Sequence, residues 1–175
     1  MSKNLEIVQK TAKVLGIISK VVYVLCIVGA VGSLVGLVAL CFANSNPDFA
    51  VKIQQESEYT GRQLIGFCII GLVNSIIWVV VSKSHRDYFM MEQNDGNPFT
   101  QEGAKAFRTL GIMNIVAPMI AVIATAILEA IFKVNTDIRP DAGFGLGVAM
   151  ILISFVLAYG AELEEKKSAD LEPKA

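Results

Sequence analysis

The chain has 175 residues, 54 % of them hydrophobic and 18 % charged, with a formal net charge of −1 and a mean hydropathy of +0.56. The apolar share is only modestly above that of a soluble domain, but the charges are unevenly placed. Charge-free runs of 27, 20, 20 and 20 residues separate Lys20 from Asp48, Arg62 from Lys83, Arg108 from Glu129 and Asp141 from Glu162. About 20 apolar helical residues cross the roughly 30 Å hydrocarbon slab of a bilayer. Four such runs leave too little chain for a globular enzyme, a secreted disulfide scaffold or a domain that binds nucleic acid directly.

Residues 1–20 come first. At 100° per residue, Lys3, Lys10, Lys13 and Lys20 fall with Glu6 and Gln9 in one arc of about 120°, and Leu5, Val8, Ala12, Leu15 and Ile18 lie opposite. Such a segment either lies in the cytoplasmic interface, with its four lysines on anionic lipid headgroups, or simply extends the first span and supplies its positive flank. The first span is expected over 21–42. At about 22 residues it exceeds the usual 7–15 of a signal peptide's apolar region, which reads as an uncleaved anchor. Gly29, Gly32 and Gly36 recur at i, i+3 and i+7. That pattern suits close helix packing inside a bundle, or a homo-oligomer.

The second span, 64–81, carries Asn74 and Ser75. The third, 110–132, carries Asn114, Thr125 and Pro118, where a kink is expected. Asn74 and Asn114 differ in expected depth by roughly 5 Å, so their amides form a candidate intramembrane polar pair. As interhelical adhesion the pair is worth about 0.6–2 kcal/mol; with Pro118, the same two amides would line the path of a permease. Glu129, near the far end of the third span, has Lys133 at i+4 and is expected to form an interfacial ion pair with it. The fourth span, 143–161, contains Ser154. Cys26, Cys41 and Cys68 all fall inside spans without metal-ligand spacing and read as small apolar filler.

Between the second and third spans lies the longest polar segment, 82–108, expected as a cytoplasmic loop. His85-Arg86-Asp87 imitates a fragment of a kinase catalytic loop, but Glu92 stands where the asparagine belongs and no glycine-rich loop precedes it. No nucleophile elbow, phosphate loop, zinc or Ca²⁺ spacing occurs, and no cofactor or enzymatic activity is expected. Asn94 to Pro98 is dense in turn formers, and Thr100 is placed to cap a short amphipathic helix carrying Glu102, Lys105 and Arg108 on one face and Phe107 and Leu110 on the other. Eleven of the 15 Lys and Arg residues fall in the N-terminal segment, this loop and the tail 164–175. Both termini are therefore expected in the cytoplasm.

Gly96-Asn97-Pro98-Phe99-Thr100, followed by a helix reaching Arg108 and Gly111, and the ending Tyr159-Gly160-Ala161-Glu162-Leu163, resemble the small bacterial membrane proteins grouped as domain-of-unknown-function family 2975. The layout agrees over most of the chain, whereas sequence similarity is concentrated in these two stretches. Glu102-Gly103 replaces the family's usual Glu-Asn, and Phe107 stands where leucine is common. The resemblance implies four spans in a bacterial cytoplasmic (inner) membrane, frequent gene neighbourhood with a small helix-turn-helix regulator, and no established catalysis. Arg108 and Glu162 are expected at one depth as an interfacial ion pair, with Phe99 tucked against the inner end of the bundle. Alternatively, Glu162 belongs to a solvated helix extension with Glu164, Glu165, Lys166 and Lys167.

The expected architecture is thus an all-α integral membrane four-helix bundle. It comprises a cytoplasmic amphipathic juxtamembrane helix (1–20), a four-span domain (21–163) and a polar tail (164–175). The expected role is non-enzymatic, regulatory or sensing. A cytoplasmic regulator would be bound through Asn97, Pro98, Phe99, Thr100, Arg108 and Glu162. A small-molecule permease, or a subunit of one, with a polar path near Asn74 and Asn114 is the alternative.

Overall fold

The structure is a computed structural model and describes residues 3–46, 51–52, 58–95, 99–136 and 143–171. Among these residues it is all-α, with no strand. Four helices account for nearly all of it: α1 (Lys3–Asn44), α2 (Gly61–Asp95), α3 (Gln101–Phe132) and α4 (Gly143–Leu171). Each is long and apolar enough to cross a membrane, over Gln9–Ala43, Gly61–Gln93, Gln101–Phe132 and Gly143–Lys167. In water the many exposed isoleucines, valines and leucines of these stretches would be a liability. Against lipid they cost nothing, whereas every backbone polar group must be satisfied within the helix.

The helices run further than hydropathy alone suggests. α1 passes residue 20 without a break, so residues 3–20 and the first expected span belong to one continuous helix. α2 continues through Ser82 to Asp95, and the expected loop 82–108 is correspondingly reduced to a short connection before α3 begins at Gln101. Nothing between Val81 and Asp95 breaks a helix: the stretch lacks Gly and Pro until Gly96. α3 likewise continues through Pro118 to Phe132.

Local chemistry sets the ends. Thr60 and Gln63 form a capping box at the start of α2: the Thr60 amide donates to Gln63 Oε1 at 2.9 Å, and the Gln63 amide reaches back to Thr60 Oγ1 at 3.4 Å. Thr100 caps α3, its Oγ1 accepting from the Gly103 amide at 2.9 Å. At the other end of α3, Lys133 adopts φ 56° and the Val134 amide donates to the Glu129 carbonyl at 3.2 Å, a Schellman-type closure built on a non-glycine residue.

The chain divides into two compact units, Met1–Val22 with Val81–Val116 and Asp141–Ala175, and Tyr23–Val80 with Ala117–Pro140. In the first, α3 and α4 approach through glycines. A Cβ built on Gly111 would sit 2.9 Å from the Gly147 carbonyl oxygen, and one built on Gly147 would sit 2.7 Å from that of Gly111. Only residues without a side chain permit this approach. Tyr88, Leu110 and Met150 form the small buried cluster around it, with Phe89, Met91 and Phe107 packed on.

In the second unit, Gly29 faces the Ser75 hydroxyl and Gly36 faces the Cys68 thiol, where added Cβ atoms would lie at 3.1 and 3.2 Å. Gly32 has nothing within 4 Å, so Gly29 and Gly36, seven residues apart, are used for packing on α2 and the Gly32–Gly36 pair is not used as a unit. Arg62 and Gln63 of α2 donate to the Ile131 and Lys133 carbonyls at 2.8 and 3.0 Å, satisfying the last acceptors of α3. The expected Glu129–Lys133 ion pair is not formed. Glu129 Oε1 instead accepts from the Thr136 amide and hydroxyl, at 2.7 and 2.6 Å. Lys133 is the residue that leaves the helix in the left-handed conformation, and a single i+4 spacing no longer describes the two.

Candidate polar sites and an apolar pocket

The two amides expected to pair are each bonded to someone else. Asn74 Nδ2 donates to Thr125 Oγ1 at 3.0 Å and to the Ile70 carbonyl at 3.0 Å, linking α2 to α3 within the second unit. Asn114, 6 % exposed, belongs to the first unit and donates to His85 Nε2 at 3.1 Å and to the Leu110 carbonyl at 2.9 Å. The reason lies in the length of α2. Because that helix continues past Val81, its next turn brings His85 to the Asn114 amide. His85 Nδ1 lies 2.9 Å from the Val81 carbonyl, which can only accept. In this arrangement Nδ1 donates to the Val81 carbonyl and Nε2 accepts from the Asn114 amide.

Arg108 and Glu162 do not pair either. Arg108 Nε donates to Ser154 Oγ at 3.3 Å, and its guanidinium lies 4.5 Å above the Phe155 ring centroid. Ser154 is fully buried and passes its own proton to the Ile151 carbonyl at 2.6 Å. The Gly111–Gly147 contact sets this register between the antiparallel α3 and α4, placing Arg108 beside 150–155. Glu162, seven or eight residues further on, lies about 11 Å along the helix and is exposed. The ion pair fails because the Gly111–Gly147 register sets Arg108 against Ser154 and Phe155, two turns before Glu162, which is an interior position of a helix that runs on to Leu171.

Phe99 lies against Gly160, at a position where any Cβ would collide with its ring, and remains 44 % exposed. Asn97 and Pro98, the other half of that motif, lie outside the described residues, as does the Lys3 side chain. Lys10 pairs with Glu6 at 2.8 Å, an exposed i, i+4 bridge, and Lys13 and Lys20 are exposed.

Tyr88, Phe89 and Glu92, none of which was a candidate in the sequence, form with Phe107 a built feature of the first unit. Tyr88 and Glu92 are an i, i+4 pair on the extension of α2, and the phenol donates to Glu92 Oε1 at 3.0 Å. Both are buried, Glu92 to 5 % exposure. Phe107 and Phe89 stand with their ring centroids 5.2 and 5.4 Å from that of Tyr88. These side chains line one wall of a pocket of about 300 Å³, and Ile7, Thr11 and Leu15 of α1 line another. The i, i+4 spacing of a tyrosine and a glutamate was the available signal; it was hidden by treating 82–95 as loop. Among the described residues, no group of three His, Cys, Asp or Glu side chains is placed to hold a metal ion.

Comparison with protein-family models, with characterised proteins and with solved structures gave no match.

Proposed function

We propose that this chain is a non-enzymatic multi-pass membrane protein with a regulatory or sensing role, seated in a bacterial inner membrane with both termini in the cytoplasm. The observation that carries the reading is a coincidence within the first unit. It contains 11 of the 15 Lys and Arg residues, the exposed Phe99 of the family-like motif, and the hydrogen-bonded pairs His85–Asn114, Arg108–Ser154 and Tyr88–Glu92. Positive charge of that density marks a cytoplasmic side, and its exposed lysines, Lys10, Lys13 and Lys20, suit anionic headgroups. The partner is a small helix-turn-helix regulator, docked on the Asn97–Thr100 connection beside Arg108 and Glu162. The bonds made by Asn74 and Asn114 support adhesion between helices rather than a permeation path.

Titration of the chain in lipid nanodiscs with the purified regulator encoded beside it tests this. Saturable binding that Phe99→Ala weakens supports the proposal; no binding at tens of micromolar overturns it.

A further inference from the structure

A guanidinium stays charged throughout the physiological pH range, so at the apolar edge of a span it is costly without an anion. Arg108 stands at such an edge. Its guanidinium lies 4.5 Å above the Phe155 ring centroid, and Nε donates to Ser154 Oγ at 3.3 Å. Ser154 and Phe155 both fall in the charge-free run of α4. Phe155 is 54 % exposed on a helix long and apolar enough to cross a membrane, so the ring and the cation stacked on it face lipid. Among the described residues no carboxylate pairs with Arg108. Glu102 lies six residues before it on α3, and Glu162 lies seven residues beyond Phe155 on α4. Nη1 and Nη2 make no hydrogen bond to the described residues, and no buried side-chain nitrogen or oxygen among them lacks a partner, so both Nη atoms open onto the surface.

We propose that Arg108 binds the phosphate of an anionic phospholipid at the seam of α3 and α4. The guanidinium, seated by Ser154 and Phe155, presents Nη1 and Nη2 side by side to two phosphate oxygens, the fork geometry in which arginine holds phosphate. A lipid fits better than a soluble phosphate because apolar surface continues from the cation. Ile112, one turn further into the span on α3, and Leu152, one turn further in on α4, are both exposed and offer a seat for acyl chains. In the other direction Tyr159, one turn from Phe155, is exposed at headgroup depth, where amphipathic rings gather. Lys105, exposed one turn before Arg108, sets a second positive charge beside the headgroup. That charge repels a choline and favours a headgroup with no cation of its own. The site needs a bilayer lipid and no regulator, so its test is separate from that of the docking proposed above.

The test is native mass spectrometry of the full chain in non-ionic detergent, titrated with dioleoylphosphatidylglycerol and, separately, with dioleoylphosphatidylcholine, with no other protein present. The expected result is a first phosphatidylglycerol bound at least fivefold tighter than phosphatidylcholine and not displaced by a tenfold excess of glycerol phosphate, the soluble headgroup fragment. Arg108→Gln should weaken phosphatidylglycerol at least fivefold, to the level of phosphatidylcholine. Lys167→Gln removes the same charge from the exposed end of α4 and should change binding less than twofold. Phe155→Leu alters an exposed side chain and no charge; by unseating the guanidinium it should weaken phosphatidylglycerol at least twofold, and it decides the matter if Arg108→Gln fails to fold. Equal binding of the two lipids, displacement by glycerol phosphate, equal effects of Arg108→Gln and Lys167→Gln, or binding unchanged by Phe155→Leu overturns the proposal.

Discussion

Replacing Gly111 by alanine adds one methyl group at the closest approach of α3 to α4. Built on the present backbone, that carbon would lie 2.8 Å from Ile151 Cγ1, 2.9 Å from the Gly147 carbonyl oxygen and 3.0 Å from the Ile151 amide nitrogen. Ordinary contact begins near 3.4 Å, so the helices must separate locally by about 0.5 Å. Two of the three obstacles are backbone and cannot rotate away. Overpacking of this kind costs about 1–3 kcal/mol, and each kcal/mol changes the folded-to-unfolded ratio about fivefold. A separation of that size also loosens Arg108 on Ser154, which places the effect toward the upper end. The assay is SDS titration of the protein in mixed micelles, followed by near-ultraviolet circular dichroism from Tyr88 and the phenylalanines beside it. Gly147→Ala should behave alike, because its Cβ would lie 2.7 Å from the Gly111 carbonyl oxygen. Gly32→Ala, with open space around it, is the control and should change little. If Gly111→Ala and Gly147→Ala unfold at the same SDS fraction as the parent, the glycine-to-glycine register of α3 and α4 is wrong.

Further outcomes follow from individual contacts. A double-mutant cycle of His85→Ala and Asn114→Ala should show a coupling of about 0.6–2 kcal/mol in the same titration; zero coupling would remove the His85–Asn114 bond. Lys133→Gly relieves a left-handed residue at the end of α3 and should stabilise by up to about 1 kcal/mol, provided the Schellman closure exists; destabilisation would argue against it. Arg108→Lys should destabilise measurably although it keeps the charge, because an ammonium cannot both stack over Phe155 and hold Ser154 in the guanidinium's geometry. A reporter fused after Ala175 should be active only in a cytoplasmic-reporting format, and the opposite result would invert the proposed topology.

The four helices were legible in the sequence because their cause is compositional. A run of 20 residues without charge satisfies the bilayer wherever it occurs, and the end signal at Thr100 acts on the next turn of chain. The extension of α2 through His85 and Glu92 was readable too, since no breaker precedes Gly96, but polarity masked it. A polar helix beyond a span and a polar loop look alike to hydropathy. Helix register could not be read in this way. Whether Arg108 meets Glu162 or Ser154 depends on which glycines of α3 and α4 touch, and either depth satisfies the same hydropathy profile. Asn74 and Asn114 likewise satisfy their donors wherever an acceptor lies in reach, and only packing decided that these were Thr125 and His85. Local terms along one chain thus determined which helices are long and apolar enough to cross a membrane, whereas contacts between residues 29 to 51 positions apart in sequence required the packed helices. Side-chain bonds across helices are short-ranged, and a displacement of one helical turn, about 5.4 Å, exchanges every partner.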